Sequence, residues 1–175
     1  MPAIETARLV LRRFVAADAA AMRAVLGDAD VMAFSEDGAL SHGRVAAWVA
    51  QAAGERAEIA SGGCWAVTLR AGPDVPIGYA SLRHGGPCLP GELELGYRLA
   101  KGSWGRGYAT EAAAALLSAA SSQARSGWAI AAIDPGNAPS IRVAERLGMA
   151  LVRTYQPEGY DHPDLVYAVS LARRS

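Results

Sequence analysis

Residues 92–99 alternate strictly, which puts Leu93, Leu95, Tyr97 and Leu99 on one face of a strand. Downstream, Ala113, Leu116, Leu117, Ala120 and Ala124 recur at helical spacing in a segment full of alanine, the best helix former. The rest of the chain alternates in the same way. Residues 8–14 read as a strand. Residues 16–26 and 45–59 read as helices, the second with Trp48 on its inward face and broken by Ser61-Gly62-Gly63. Residues 64–69 and 77–82 predict a hairpin across Gly72-Pro73-Asp74, where turn residues cluster. A Gly- and Pro-rich loop, 84–91, leads into the strand at Glu92. Residues 128–133 are wholly apolar, which suits a central strand. Pro139 fits a first helical turn and Gly148 a helix end, and residues 151–155 and 165–171 supply the last strands. The pattern predicts one mixed α/β domain over residues 1–175, with no repeat or linker.

Between the strand and the alanine helix runs Trp104-Gly105-Arg106-Gly107-Tyr108-Ala109-Thr110-Glu111. Strand, glycine loop and helix N-terminus make an anion site: glycines permit sharp turns and close approach, while free N–H groups and the helix dipole face a phosphate. The run lacks the Lys-Ser/Thr ending of a nucleotide P-loop. It also lacks the acidic residue about 20 positions on that a dinucleotide fold wants.

The run resembles the acyl-CoA pyrophosphate loop of the GNAT N-acetyltransferases, Gln/Arg-x-x-Gly-x-Gly/Ala, with Gly107-Tyr108-Ala109 at its last three positions. Trp104 stands where the general pattern has Gln or Arg, and the whole run looks like the branch of ribosomal-protein N-terminal acetyltransferases. Three further segments match that branch in order: Glu5-Thr6-Ala7-Arg8-Leu9-Val10-Leu11-Arg12 followed by Asp18; Glu94-Leu95-Gly96-Tyr97-Arg98-Leu99; and Asn137-Ala138-Pro139-Ser140 leading to Glu145-Arg146-Leu147-Gly148.

The resemblance implies a mixed, mostly antiparallel sheet with a splayed central strand pair and about four flanking helices. It implies acetyl-CoA as co-substrate, its pyrophosphate on Trp104, Gly105, Arg106, Gly107, Tyr108, Ala109 and Thr110, and its pantetheine amides on Asn137. It puts the oxyanion donor at the backbone of Leu99 or Ala100 and gives Ser140 a hydrogen bond to the sulfur. Lys101 and Arg106 flank the loop as phosphate contacts. The tyrosine that many members carry in the short helix is absent, since Ala144 takes its position. The expected reaction is acetyl transfer to a primary amine, a protein N-terminus or a small amine. Alternatives are a silent acyl-CoA-binding module and a transferase of another acyl group such as succinyl.

Acetyl transfer to an amine needs a proton acceptor, a stabilised oxyanion and a released thiolate. Glu94, on the face opposite Leu93 and Leu95, is the expected base, with Glu92 on the same face as the fallback. His42, His84 and His162 fall in loop-like stretches. Glu36 and Asp37, between the two N-terminal helices, are expected to make the acceptor mouth acidic together with Glu94.

Seventeen basic and seventeen acidic residues cancel, so no global field favours nucleic acid or an anionic membrane. No apolar run approaches the roughly 18 residues of a bilayer span. Cys64 and Cys88 are too few and too far apart for a metal motif or a disulfide framework. With no export signal at the N-terminus, the expectation is a cytoplasmic enzyme, monomer or homodimer, without a metal.

Overall fold

The computed structural model describes residues 3–54, 63–123 and 127–172. Eight strands form one sheet: β1 (Ile4–Glu5), β2 (Leu9–Arg12), β3 (Gly63–Leu69), β4 (Gly72–Arg83), β5 (Glu92–Leu99), β6 (Trp128–Ile133), β7 (Ala150–Tyr155) and β8 (Asp164–Ser170). Their order is β1-β2-β3-β4-β5-β6-β8-β7, and every neighbouring pair is antiparallel except β5 and β6. Four α-helices flank it: α1 (Ala19–Leu26), α2 (His42–Gly54), α3 (Tyr108–Gln123) and α4 (Ala138–Arg146). The expected mixed fold is the observed one. The predicted continuation of α2 past Gly54, with the Ser61-Gly62 break, and Ala124 of the alanine stripe lie outside the described residues.

The two-residue period of the strands sorts the core into two layers. Trp65, Val67, Ala80, Leu82, Leu93, Leu95 and Leu99 face α3, whose Ala112, Ala113, Leu116 and Ala120 bring the helix close to the sheet. Cys64 and Ala66 face the other way, onto Met22, Val25 and Leu26 of α1 and Val45 and Val49 of α2. Phe14 meets Trp48 edge to face there, with ring centroids 5.5 Å apart. Among the described residues, no helix is long and apolar enough to cross a membrane.

Two local readings are corrected. The first strand stops at Arg12, because the chain then turns so that Arg12 and the Val15 amide both bond the buried Asp18. The β3–β4 turn falls at Arg70-Ala71, since Leu69 already pairs with Gly72 and register shifts around Thr68 absorb the extra residues. Gly72-Pro73-Asp74 thus starts β4, and Arg12 takes the carbonyls of Pro73 and Asp74 at 3.0 Å each. Gly96 marks a close approach and no bulge: the β4–β5 register runs unbroken, and a Cβ at Gly96 would lie 2.8 Å from the Ser81 Oγ.

One feature of the sheet creates the site. β5 and β6 pair at Glu92↔Trp128, Leu93↔Ala129 and Glu94↔Ile130, and then part, although β5 runs on to Leu99 and β6 to Ile133. The resulting cleft opens between the α3–α4 layer and the layer of the α1–α2 connection.

Candidate active site

On the α3 side, the chain leaves β5 through a tight loop. The indole Nε1 of Trp104 donates to the carbonyl of Leu99 at 2.7 Å, tying the loop to the strand end. Gly105 and Gly107 have φ of 71° and 76°, in the left-handed region that favours glycine. The first amide bonded back along α3 is that of Glu111, to the Gly107 carbonyl at 3.0 Å. Among the described residues, the amides of Arg106, Gly107, Tyr108, Ala109 and Thr110 have no backbone acceptor. They cluster at a positive helix end, which is what a pyrophosphate requires. Arg106 is exposed beside them. Lys101 does not join it: the lysine is bound to Asp28 at 3.1 Å and to Asp30, and both hydrogen bonds raise its pKa.

The antiparallel register sets the Leu99 and Ala100 amides apart. Ala100 donates its amide to Ile77 at 2.9 Å, so it is consumed in the β4 ladder. Alternation then turns the Leu99 amide away from β4 and into the cleft. At the far wall, Asn137 caps α4 by accepting the Ser140 amide at 3.2 Å, and Tyr97 donates its hydroxyl to the Ser140 carbonyl at 3.1 Å. Burial pushes Tyr97 up to about 12, keeping it a neutral donor. The Ser140 hydroxyl has no bonded partner among the described residues, and Ala144 is buried in the core.

Glu94 lies on the opposite face of β5, at the last paired position before the splay. Burial, reinforced by the nearby carboxylates of Asp164 and Glu36, pushes it up to about 7. Glu92 shares that face and has a different fate. Arg153 of β7 grips it with hydrogen bonds of 2.9 and 2.7 Å, the Leu89 amide adds another at 2.8 Å, and its pKa falls below the ordinary range. Glu92 is thus held as an ion pair with Arg153, unlike Glu94.

The rim around Glu94 is acidic, although its members differ from the expected ones. Glu36 takes part. Asp37 is instead paired with Arg44 at 2.5 Å. Asp164, at the start of β8, joins, and its own pKa is raised by burial and by Asp134. His162 lies between Asp134 and Asp161, at 3.0 and 2.6 Å, and their hydrogen bonds raise its pKa. His42 begins α2 and His84 directly follows β4. Sequence reading missed Asp164 and Arg153, and it missed a clamp of Arg8 on Glu111 described below. None of these lies near its partner in sequence.

A family model for the acetyltransferase (GNAT) domain matches residues 8–150. The uncharacterized protein YkkB of Bacillus subtilis is 44% identical over 75 residues, which is 43% of this chain and 42% of that protein, so the match spans under half of that relative. A solved acetyltransferase (GNAT family) from Bacillus anthracis superposes with a TM-score of 0.83 at 25% identity, covering 97% of this chain and 99% of that one. RimL, a ribosomal-protein alpha-N-acetyltransferase solved in complex with coenzyme A, has a TM-score of 0.76 at 16% identity over 96% of this chain and 97% of its own, a likeness of fold.

Proposed function

This chain belongs to the GNAT acetyltransferase family, and from that premise we propose that it moves an acetyl group from acetyl-CoA to a primary amine, with Glu94 as general base. One observation carries the reading: a carboxyl raised to about 7 lies at the mouth of the β5–β6 cleft, across from an amide-lined helix end. The open amides of Arg106–Thr110 fit the pyrophosphate, as does the coenzyme A complex of RimL on the same fold.

The chemistry follows from the charges. A primary ammonium titrates at about 8 to 10, so an ordinary carboxylate is a poor acceptor for its proton. Raising Glu94 from 4.5 to about 7 makes that transfer about 3 kcal/mol less uphill. The neutral nitrogen attacks the thioester carbon and forms the C–N bond, and the Leu99 amide receives the developing oxyanion. The C–S bond then breaks, the nitrogen gives its second proton to solvent to leave the neutral amide, and the thiolate takes a proton from solvent or rests against the Ser140 hydroxyl. A thiol of pKa about 8.5 needs little help to leave.

The acceptor side supports a cationic amine. Asp164 and Glu36 add to burial in raising the proton affinity of Glu94, and a positive group entering there relieves that repulsion. A protein N-terminus and a small amine both meet this requirement. The test is release of coenzyme A from acetyl-CoA in the presence of a panel of amines, peptides and no acceptor. Amine-dependent release with acetyl-CoA supports the reading. Binding without release points to a silent module, and release only from succinyl-CoA points to another acyl group.

A further inference from the structure

The glycine loop is held from outside by a side chain that lies 98 residues before it in the chain. Arg8, just before β2, donates Nε to Glu111 Oε2 at 2.6 Å and stacks its guanidinium over Tyr108 at 4.7 Å from the ring centroid. Its Nη2 also lies 2.6 Å from Glu111 Oε2, and its Nη1 donates to the Arg106 carbonyl at 2.9 Å. Glu111 Oε1 is taken by the Arg8 amide at 2.9 Å and by Thr6 Oγ1 at 2.6 Å. Every oxygen of this carboxylate is thus committed to the β1–β2 hairpin.

We propose that Arg8 is a positioning residue for the pyrophosphate of the acyl donor, acting through Glu111 and the Arg106 carbonyl; this rests on the acetyl-CoA reading above. Two physical consequences support it. A trans peptide points its C=O and N–H in opposite directions, so fixing the Arg106 carbonyl on Arg8 aims the Gly107 amide the other way, out of the clamp. Glu111 stands in the first turn of α3, and an unpaired carboxylate there would repel the phosphates that the turn attracts. The guanidinium, with Nε and Nη2 both on Oε2, cancels that charge while holding the turn.

The experiment compares kcat/KM for acetyl-CoA with kcat/KM for S-acetylpantetheine, which carries the thioester without the pyrophosphate. In Arg8→Ala the ratio of the two is expected to fall about 10–100-fold, mostly through the KM for acetyl-CoA. Arg8→Lys is expected to restore less than half of the loss, because an ammonium cannot bridge Glu111 and the Arg106 carbonyl as a fork does. Glu111→Ala is expected to lower the ratio as well, and the double variant to lower it no further than the larger single effect. If Glu111→Ala raises the ratio, or Arg8→Lys restores it fully, Arg8 acts as a bare charge on the phosphates and the clamp is overturned. An equal loss with both donors shows a general folding defect and overturns it too. Wild-type protein that uses neither donor takes down the functional reading with it, whereas normal wild-type activity with an unmoved ratio sinks the clamp alone.

Discussion

Arg153 forks onto Glu92 at 2.9 and 2.7 Å, while the carboxylate of Glu94, two residues along the same face of β5, accepts no hydrogen bond among the described residues. Two carboxylates with the same sequence context therefore end with opposite proton affinities. One is stabilised as an anion by a cation. The other is desolvated at a cleft mouth and pushed into the range where a base works at neutral pH.

Glu94→Gln is expected to lower turnover about 10²–10⁴-fold with little change in acetyl-CoA affinity. In the wild type, kcat/KM should rise with pH through about 7, because Glu94 must be deprotonated to act. That limb should be missing from the residual activity of Glu94→Gln. A pH–rate profile with no group near 7 removes Glu94 from the role.

The same shift makes a stability prediction of definite sign. Glu94 has a higher pKa folded than unfolded, so its protonated form favours the folded state, and that contribution is lost as pH rises through about 7. Glu94→Gln should therefore be more stable than the wild type at pH 8, by about 1–3 kcal/mol, and about equal to it near pH 4. Denaturant melts of both proteins at the two pH values check this. A wild type that gains on the variant as pH rises contradicts the assignment.

Glu92 should behave the other way. Its pKa is lowered by Arg153, so its stabilising share is present at neutral pH and is lost as pH falls through the folded value. Arg153→Ala should cost about 1–3 kcal/mol, less than for a fully buried pair. Glu92→Gln should destabilise similarly while kcat stays within about threefold of wild type. A large loss of kcat at unchanged stability would make Glu92 the base.

Gly107→Val tests the anion loop. With φ at 76°, a β-branched residue is forced out of its allowed region, and the amides around it turn away from their common focus. Affinity for acetyl-CoA should fall by about 10²-fold or more, the equivalent of roughly 3 kcal/mol, in a protein whose circular dichroism is unchanged. Unchanged affinity by calorimetry in the folded variant would mean that the loop does not hold the phosphates.

What the sequence made legible was local. The alternation of 92–99, the glycine run and the Asn137–Ser140 spacing each lie within one element or one turn, so β5, the α3 N-terminus and the candidate base were all readable. The partners were not. Arg153 reaches Glu92 across 61 residues and Arg8 reaches Glu111 across 103, and no periodicity links such positions. Lys101 looked like a site charge for the same reason, since Asp30 lies 71 residues before it, whereas Asp37 is paired locally with Arg44 at the start of α2. The hairpin turn was misplaced because a register shift at Thr68 moved Gly72-Pro73-Asp74 into a strand, where Arg12 satisfies its carbonyls.

The acceptor is where the acidic rim makes its own prediction. A zwitterion carries its carboxylate into a mouth already bearing Glu36, Asp164 and Glu94, whereas an amide or a peptide N-terminus brings only positive charge. Amino acid amides or short peptides should exceed the free acids in kcat/KM by about tenfold, or roughly 1.4 kcal/mol, at low salt. The preference should shrink as salt screens the rim. Asp164→Asn should reduce it and, by removing a negative neighbour, lower the Glu94 pKa, so that the rising limb of the pH–rate profile moves to lower pH. These effects share one cause and should appear together in an acceptor screen run at two salt concentrations. Equal activity on free acids and amides, with an unmoved limb in Asp164→Asn, would leave the rim without a part in choosing the acceptor.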